Sequence, residues 1–179
     1  MVPHASAPLA YFITFHTYGT WLPGDPRGTV DAQHRIFGTP YVSGRPEGRH
    51  ASSAKHLTHP PIVLRPEERI VVLRTTQEVC QHRGWTLYAA NVQSNHVHAI
   101  ISAEHTAERV MQDIKAWSTR RVVEAGLRER GTPMWVRHGS TRKLWKREAV
   151  SAACAYVVDG QGGGRQWVIG GPGGPGSAC

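Results

Sequence analysis

The chain has 179 residues, 40% of them hydrophobic, with 21 Lys+Arg against 13 Asp+Glu. That length suits one domain with a real core rather than two large ones. The surplus of +8 favours a polyanionic partner, nucleic acid or an anionic membrane.

No apolar run reaches the roughly 20 residues of a membrane span, and the first ten residues lack the basic start and apolar stretch of a secretory signal. The three cysteines, Cys80, Cys154 and Cys179, show no C-x-x-C spacing. They speak against a disulfide framework or thiolate zinc site and for a reducing cytoplasm. Residues 1–10 read as a disordered lead. Residues 11–18, rich in aromatic and β-branched side chains, form the first predicted strand. Turn residues then break the pattern, and from 19 to 61 neither period 2 nor period 3.6 is sustained. This is a long loop insertion; its basic character would suit covering a nucleic-acid strand, and loops of that length are often functional. Pro66, Glu67 and Glu68 open a helix, since proline fits the first turn and early acids complement the dipole. It runs to Arg83, with Gly84 as its stop.

Residues 85–92 form the second strand, Gln93-Ser94 a polar break, and residues 96–102 the third, an antiparallel hairpin. Thr106 caps a second helix in which Val110, Ile114, Trp117 and Val122 recur at near-helical spacing. Lys115, Arg120 and Arg121 crowd its predicted outer side. Residues 133–137 are the fourth predicted strand. A basic, aromatic stretch follows, Arg142-Lys143-Leu144-Trp145-Lys146-Arg147. Residues 148–159 then form a short alanine-rich helix stopped by Gly160. Residues 164–179 read as a Gly/Pro-rich tail unable to support a core. The order is βαββαβ plus a C-terminal helix. It predicts an α+β sandwich of ferredoxin-like type over residues 11–163, an antiparallel sheet with helices on one face.

Within the third strand stands Asn95-His96-Val97-His98-Ala99-Ile100-Ile101. Residues i and i+2 of a strand project from one face, so the two imidazoles would sit close enough to share a metal ion, with Val97 and Ile100 expected on the other side. The spacing alone is weak, since 11 histidines in 179 residues yield about one such pair by chance. His16, on the first strand, would share that face or be a plain polar sheet residue, and Asn95 suits the turn. Lys115, Arg120, Arg121, Arg142, Lys143, Lys146 and Arg147 interleave with Trp117, Trp135 and Trp145. Rings that stack bases and cations that track phosphates point to single-stranded nucleic acid.

The hairpin ending in Asn95-His96-Val97-His98, with a helix after it, resembles the single-tyrosine HUH transposases, and among them the REP-associated tyrosine transposases. Tyr11-Phe12-Ile13-Thr14-Phe15 and Tyr18-Gly19-Thr20-Trp21-Leu22-Pro23-Gly24-Asp25 resemble N-termini of that family. Leu144-Trp145 and Ala155-Tyr156-Val157-Val158 look like its last helix. Gln93-Ser94 departs from the usual Met-Pro or Leu-Pro. The resemblance, over residues 11–163, implies metal-dependent cleavage and transfer of single-stranded or hairpin DNA through a 5′-phosphotyrosine. Tyr156 would be the nucleophile. His96 and His98 would hold a divalent ion, Mg or Mn. Where the family often adds an amide ligand stands Gly160, so Gln161, or else Asp159, would take that place. No membrane partner is implied, and both a monomer and a homodimer stay open. Two rivals remain. One is a relative that binds hairpin DNA without cutting. The other is a two-histidine phosphoesterase built on His56-Leu57-Thr58 and His138-Gly139-Ser140.

Overall fold

The computed structural model describes residues 7–20, 57–159 and 166–169. Most of the predicted lead and insertion, together with Gly160 and Gln161, lie outside those residues. Five strands build one sheet: β1 (Ala10–His16), β2 (Thr86–Val92), β3 (His96–Ser102), β4 (Ser140–Leu144) and β5 (Gln166–Ile169). Their order is β4-β1-β3-β2-β5, and every neighbouring pair is antiparallel. Helices α1 (Pro66–Arg83) and α2 (Ala107–Glu124) come between the strands, and α3 (Arg147–Asp159) follows β4. This is the expected α+β fold, βαββαβ with an added helix and an added edge strand.

The period-2 alternation of β1 divides the molecule into two cores. Tyr11, Ile13 and Phe15 meet Val97, Ala99 and Ile101 of β3 and the apolar stripes of α1 and α2. Ala10 and Ile100 meet Ala89, Leu144 and the Val150, Ala153, Cys154 and Val157 stripe of α3 on the opposite face. The first two helices therefore share one face, and the last helix covers the other. Ile100, expected opposite the histidines, lies on their side; it stands two residues after His98, and period 2 keeps both on one face. Ala10 is already within β1 and fully buried.

α1 ends as its sequence suggests, with Gly84 left-handed at φ 69° and its N–H returned to the last turn. Near its start, Glu68 is fully buried and accepts from the backbone of Arg65 at 2.8 Å and from the guanidinium of Arg128. Burial alone would raise its carboxyl, but these donors outweigh it and hold the carboxyl below its ordinary range.

Two elements differ from expectation. Residues 133–137 are not a strand; Trp135 makes only an isolated bridge with Thr17, and the fourth strand begins later, at Ser140. The reason is Lys115. It is 5% exposed, and its Nζ donates to the carbonyls of Val136 (3.0 Å), Arg137 (3.3 Å) and His138 (3.2 Å). Three successive carbonyls turned to one ammonium cannot alternate as a ladder requires. Gly139 then lets the chain pass β1, for a Cβ there would lie 2.5 Å from the Thr14 carbonyl. The second difference is β5, inside the predicted tail, which pairs with β2 from Ala89↔Ile169 to Val92↔Gln166. Cys80 is a buried free thiol. No helix among the described residues is long and apolar enough to cross a membrane.

Candidate active site

His96 and His98 project from β3 toward the α3 side, their ring centroids 4.7 Å apart. Strand register places Thr14 and Asn91 on either side of His98, and His16 beside His96. His98 is 8% exposed, and its Nδ1 lies 2.7 Å from Thr14 Oγ1. His96 Nδ1 lies 2.7 Å from Asn95 Oδ1. An amide oxygen only accepts, so the His96 proton sits on Nδ1 and Nε2 carries the lone pair. The Thr14 hydroxyl can donate or accept; where it accepts from His98 Nδ1, both Nε2 atoms are the nitrogens for a metal, with Thr14 and Asn95 fixing ring orientation behind them. Asn95 is thus more than a turn residue: its carbonyl also accepts from the Thr17 backbone at 2.9 Å, tying the hairpin turn to the end of β1.

α3 brings Tyr156 over this face. Its buried stripe seats the helix on the sheet and leaves Tyr156 on the flank, 47% exposed. The Tyr156 ring centroid is 5.9 Å from that of His98 and 6.0 Å from that of Phe12, and Phe12 stands 5.5 Å from His98. The three rings form an edge-on cluster within one chain. Arg142, from the neighbouring β4, lays its guanidinium 5.3 Å over the Phe12 ring. The His16 ring lies 5.6 Å from that of His96.

The predicted DNA-contacting residues do not form one patch. Arg142 belongs to the histidine face, and Lys146 and Arg147 are exposed where β4 leads into α3. Lys143 alternates to the other face of β4. Arg120 and Arg121 are exposed on α2, across the sheet, where Arg121 pairs with Glu78 at 3.2 Å and Glu124 at 3.1 Å. Lys115 is removed from any surface role by its burial and its three carbonyl partners. Among the tryptophans, Trp117 and Trp135 pack against the first core while Trp145 is 51% exposed.

As a metal centre the donor set is partial. Two oriented imidazoles suit a divalent ion, but the described residues contain no group of three or more His, Cys, Asp or Glu side chains that could hold one. Asp159 closes α3 and is exposed; Gln161 lies outside the described residues. Among the described residues the phosphoesterase pattern builds no site. His56 lies outside the described residues, Thr58 is in a loop, and His138 is exposed before β4 with its carbonyl on Lys115.

Sequence reasoning missed Thr14, Phe12 and Asn91. The first two were readable as residues sharing the parity of His16 on the first strand. Asn91 was the polar residue in an otherwise apolar strand.

The family described as transposase IS200-like matches residues 61–155, more than half of the chain. The chain belongs to the IS200-like transposase family. The matched span contains both strand histidines and stops one residue before Tyr156. Among solved structures, this IS200-like chain is similar to a REP-associated tyrosine transposase bound to a REP hairpin. That likeness has 11% identity and a TM-score of 0.48, covering 88% of this chain and 70% of the other. No curated protein matches the chain.

Proposed function

We propose that the protein cleaves and rejoins single-stranded or hairpin DNA, with Tyr156 as the nucleophile and His96 and His98 holding a divalent ion, Mg or Mn. The carrying observation is the placement of the Tyr156 ring 5.9 Å from the His98 ring, half exposed, on the face where the two imidazoles converge. Family membership makes DNA the substrate class. Tyr156, His96 and His98 belong to one chain, which supports a site within a single subunit, and a homodimer is compatible with it. The proposed compartment is the cytoplasm, on the substrate's account alone.

A bound divalent ion would supply Lewis-acid charge at the scissile phosphate. The chain's own residues do the rest. Tyr156 Oη gives its proton to water, which its exposure allows, and bonds to phosphorus as the P–O3′ bond breaks. The departing 3′-oxygen takes a proton from water, leaving a 5′-phosphotyrosine. The number of phosphodiester bonds is conserved, so a 3′-hydroxyl can later reverse the step without a nucleotide cofactor. Phe12 buttresses the phenol, and Arg142 places positive charge on the same face. Trp145, Lys146 and Arg147 offer a stacking ring and two cations for the strand leading in.

The test is a denaturing gel of the protein with hairpin oligonucleotides and Mn. Wild type gives a slow-migrating covalent species; Tyr156→Phe gives none, and chelation or His98→Ala removes it. Adducts that persist in Tyr156→Phe would overturn the assignment. A second reading, a hairpin binder that does not cut, rests on Gly160, which puts no side chain where the resemblance expects an amide ligand. Tight binding by wild type without adducts would select it.

A further inference from the structure

We infer that Asn91 is a positioning residue for the proposed nucleophile, holding the end of α3 at the depth of His98; this rests on the reading of Tyr156 above. Asn91 is fully buried in the middle of the sheet, on β2, directly opposite His98 in the strand register. Its Nδ2 donates to the carbonyl of Val157, the residue after Tyr156, at 2.9 Å. Val157 lies in the last turn of α3, where carbonyls lack a partner within the helix. A strand side chain thus supplies the donor that the helix cannot supply for itself. The amide has one orientation that serves this contact, because a backbone carbonyl only accepts, and its Oδ1 then accepts from Gln93 Nε2 at 2.9 Å. Nδ2 therefore faces the helix.

The consequence is geometric. Hydrophobic contact through Val150, Ala153, Cys154 and Val157 seats α3 on the sheet but tolerates sliding and rotation, since apolar packing is not directional. A directional hydrogen bond at the Tyr156 end limits both. It joins the helix to the neighbour of a metal-binding histidine, so phenol and imidazoles share a single row of the sheet. A misplacement of about 1 Å can cost about 100-fold in rate.

The experiment compares wild type with Asn91→Asp, which keeps the shape and loses the donor, and Asn91→Leu, which removes the polar pair and guards against misfolding from a buried charge. Single-turnover adduct formation on a hairpin oligonucleotide, Mn affinity, hairpin affinity, and hydrogen exchange of residues 154–159 are measured for each. We expect adduct formation to slow by about 100-fold. Mn and hairpin dissociation constants stay within about twofold, and exchange in the last turn of α3 quickens at least tenfold while β3 is unchanged. Adducts forming at the wild-type rate, unchanged exchange in both variants, or an equal weakening of Mn and hairpin binding would each overturn the inference. If wild type itself forms no adduct, the cleavage reading fails, and the exchange data still decide whether Asn91 anchors the helix.

Discussion

His98 shows how much of a site can depend on one hydroxyl. Its ring is nearly enclosed, and Thr14 Oγ1 lies 2.7 Å from its Nδ1. Orienting partners of ligating imidazoles are commonly worth 10- to 100-fold in metal affinity. Thr14→Val keeps the β-branched shape and deletes the hydroxyl. We expect it to weaken Mn binding by about 10- to 100-fold in an EPR titration while leaving thermal stability nearly unchanged. The His-x-His pair was legible because strand parity is a local property. Thr14 and Asn91 were not, because their roles depend on which strands become neighbours, and no local period encodes that. Tyr156 stood out as a candidate only through its family-like surroundings, since a tyrosine on an amphipathic helix otherwise reads as packing.

Among the elements, both long helices were readable from spacing and end signals. The fourth strand was misplaced because apolar content marked residues 133–137, whereas the true β4, Ser-Thr-Arg-Lys-Leu, buries only Leu144. An edge strand with one face in solvent has little hydrophobic signature. β5 was hidden by the glycines around Gln166-Trp167-Val168-Ile169. Lys115 was assigned to an outer side by its charge, yet its ammonium sits 5.3 Å from the Phe15 ring centroid and clamps the segment before β4. The desolvation of the ammonium there is only partly offset by its bonds to three carbonyls.

Burial also lowers the Lys115 amine from 10.5 to about 8. Between those values the folded chain has released the proton and the unfolded chain retains it. The unfolded state then binds more protons, so this lysine's contribution to stability rises with pH from about 8 to 10.5. Denaturant melts of wild type and Lys115→Met across that range should diverge, with wild type gaining up to about 3 kcal/mol relative to the variant.

At the scale of the whole molecule, the exposed cations of the predicted DNA-contacting set lie on separate surfaces. Lys146 and Arg147 flank the histidine face, while Arg120 and Arg121 lie across the sheet, Arg121 between two glutamates. Only the first pair is placed to meet a strand entering the site. For single strands each lost phosphate contact reduces the salt slope of binding by about 0.7. The double variant Lys146→Ala/Arg147→Ala should therefore lower the slope by about 1.4 in a fluorescence anisotropy titration, and Arg120→Ala/Arg121→Ala should leave it unchanged. Equal effects from both pairs would place the DNA elsewhere.

The fifth strand has a topological corollary. α3 leaves the sheet at one margin, from β4, and the chain re-enters at the opposite margin as β5. The tyrosine-bearing segment is consequently fastened at both ends, like a strap buckled on either side of the face it crosses. Lending that helix to a second subunit would require four residues of ladder to peel away as well. Shortening the chain before residue 166 would release one buckle.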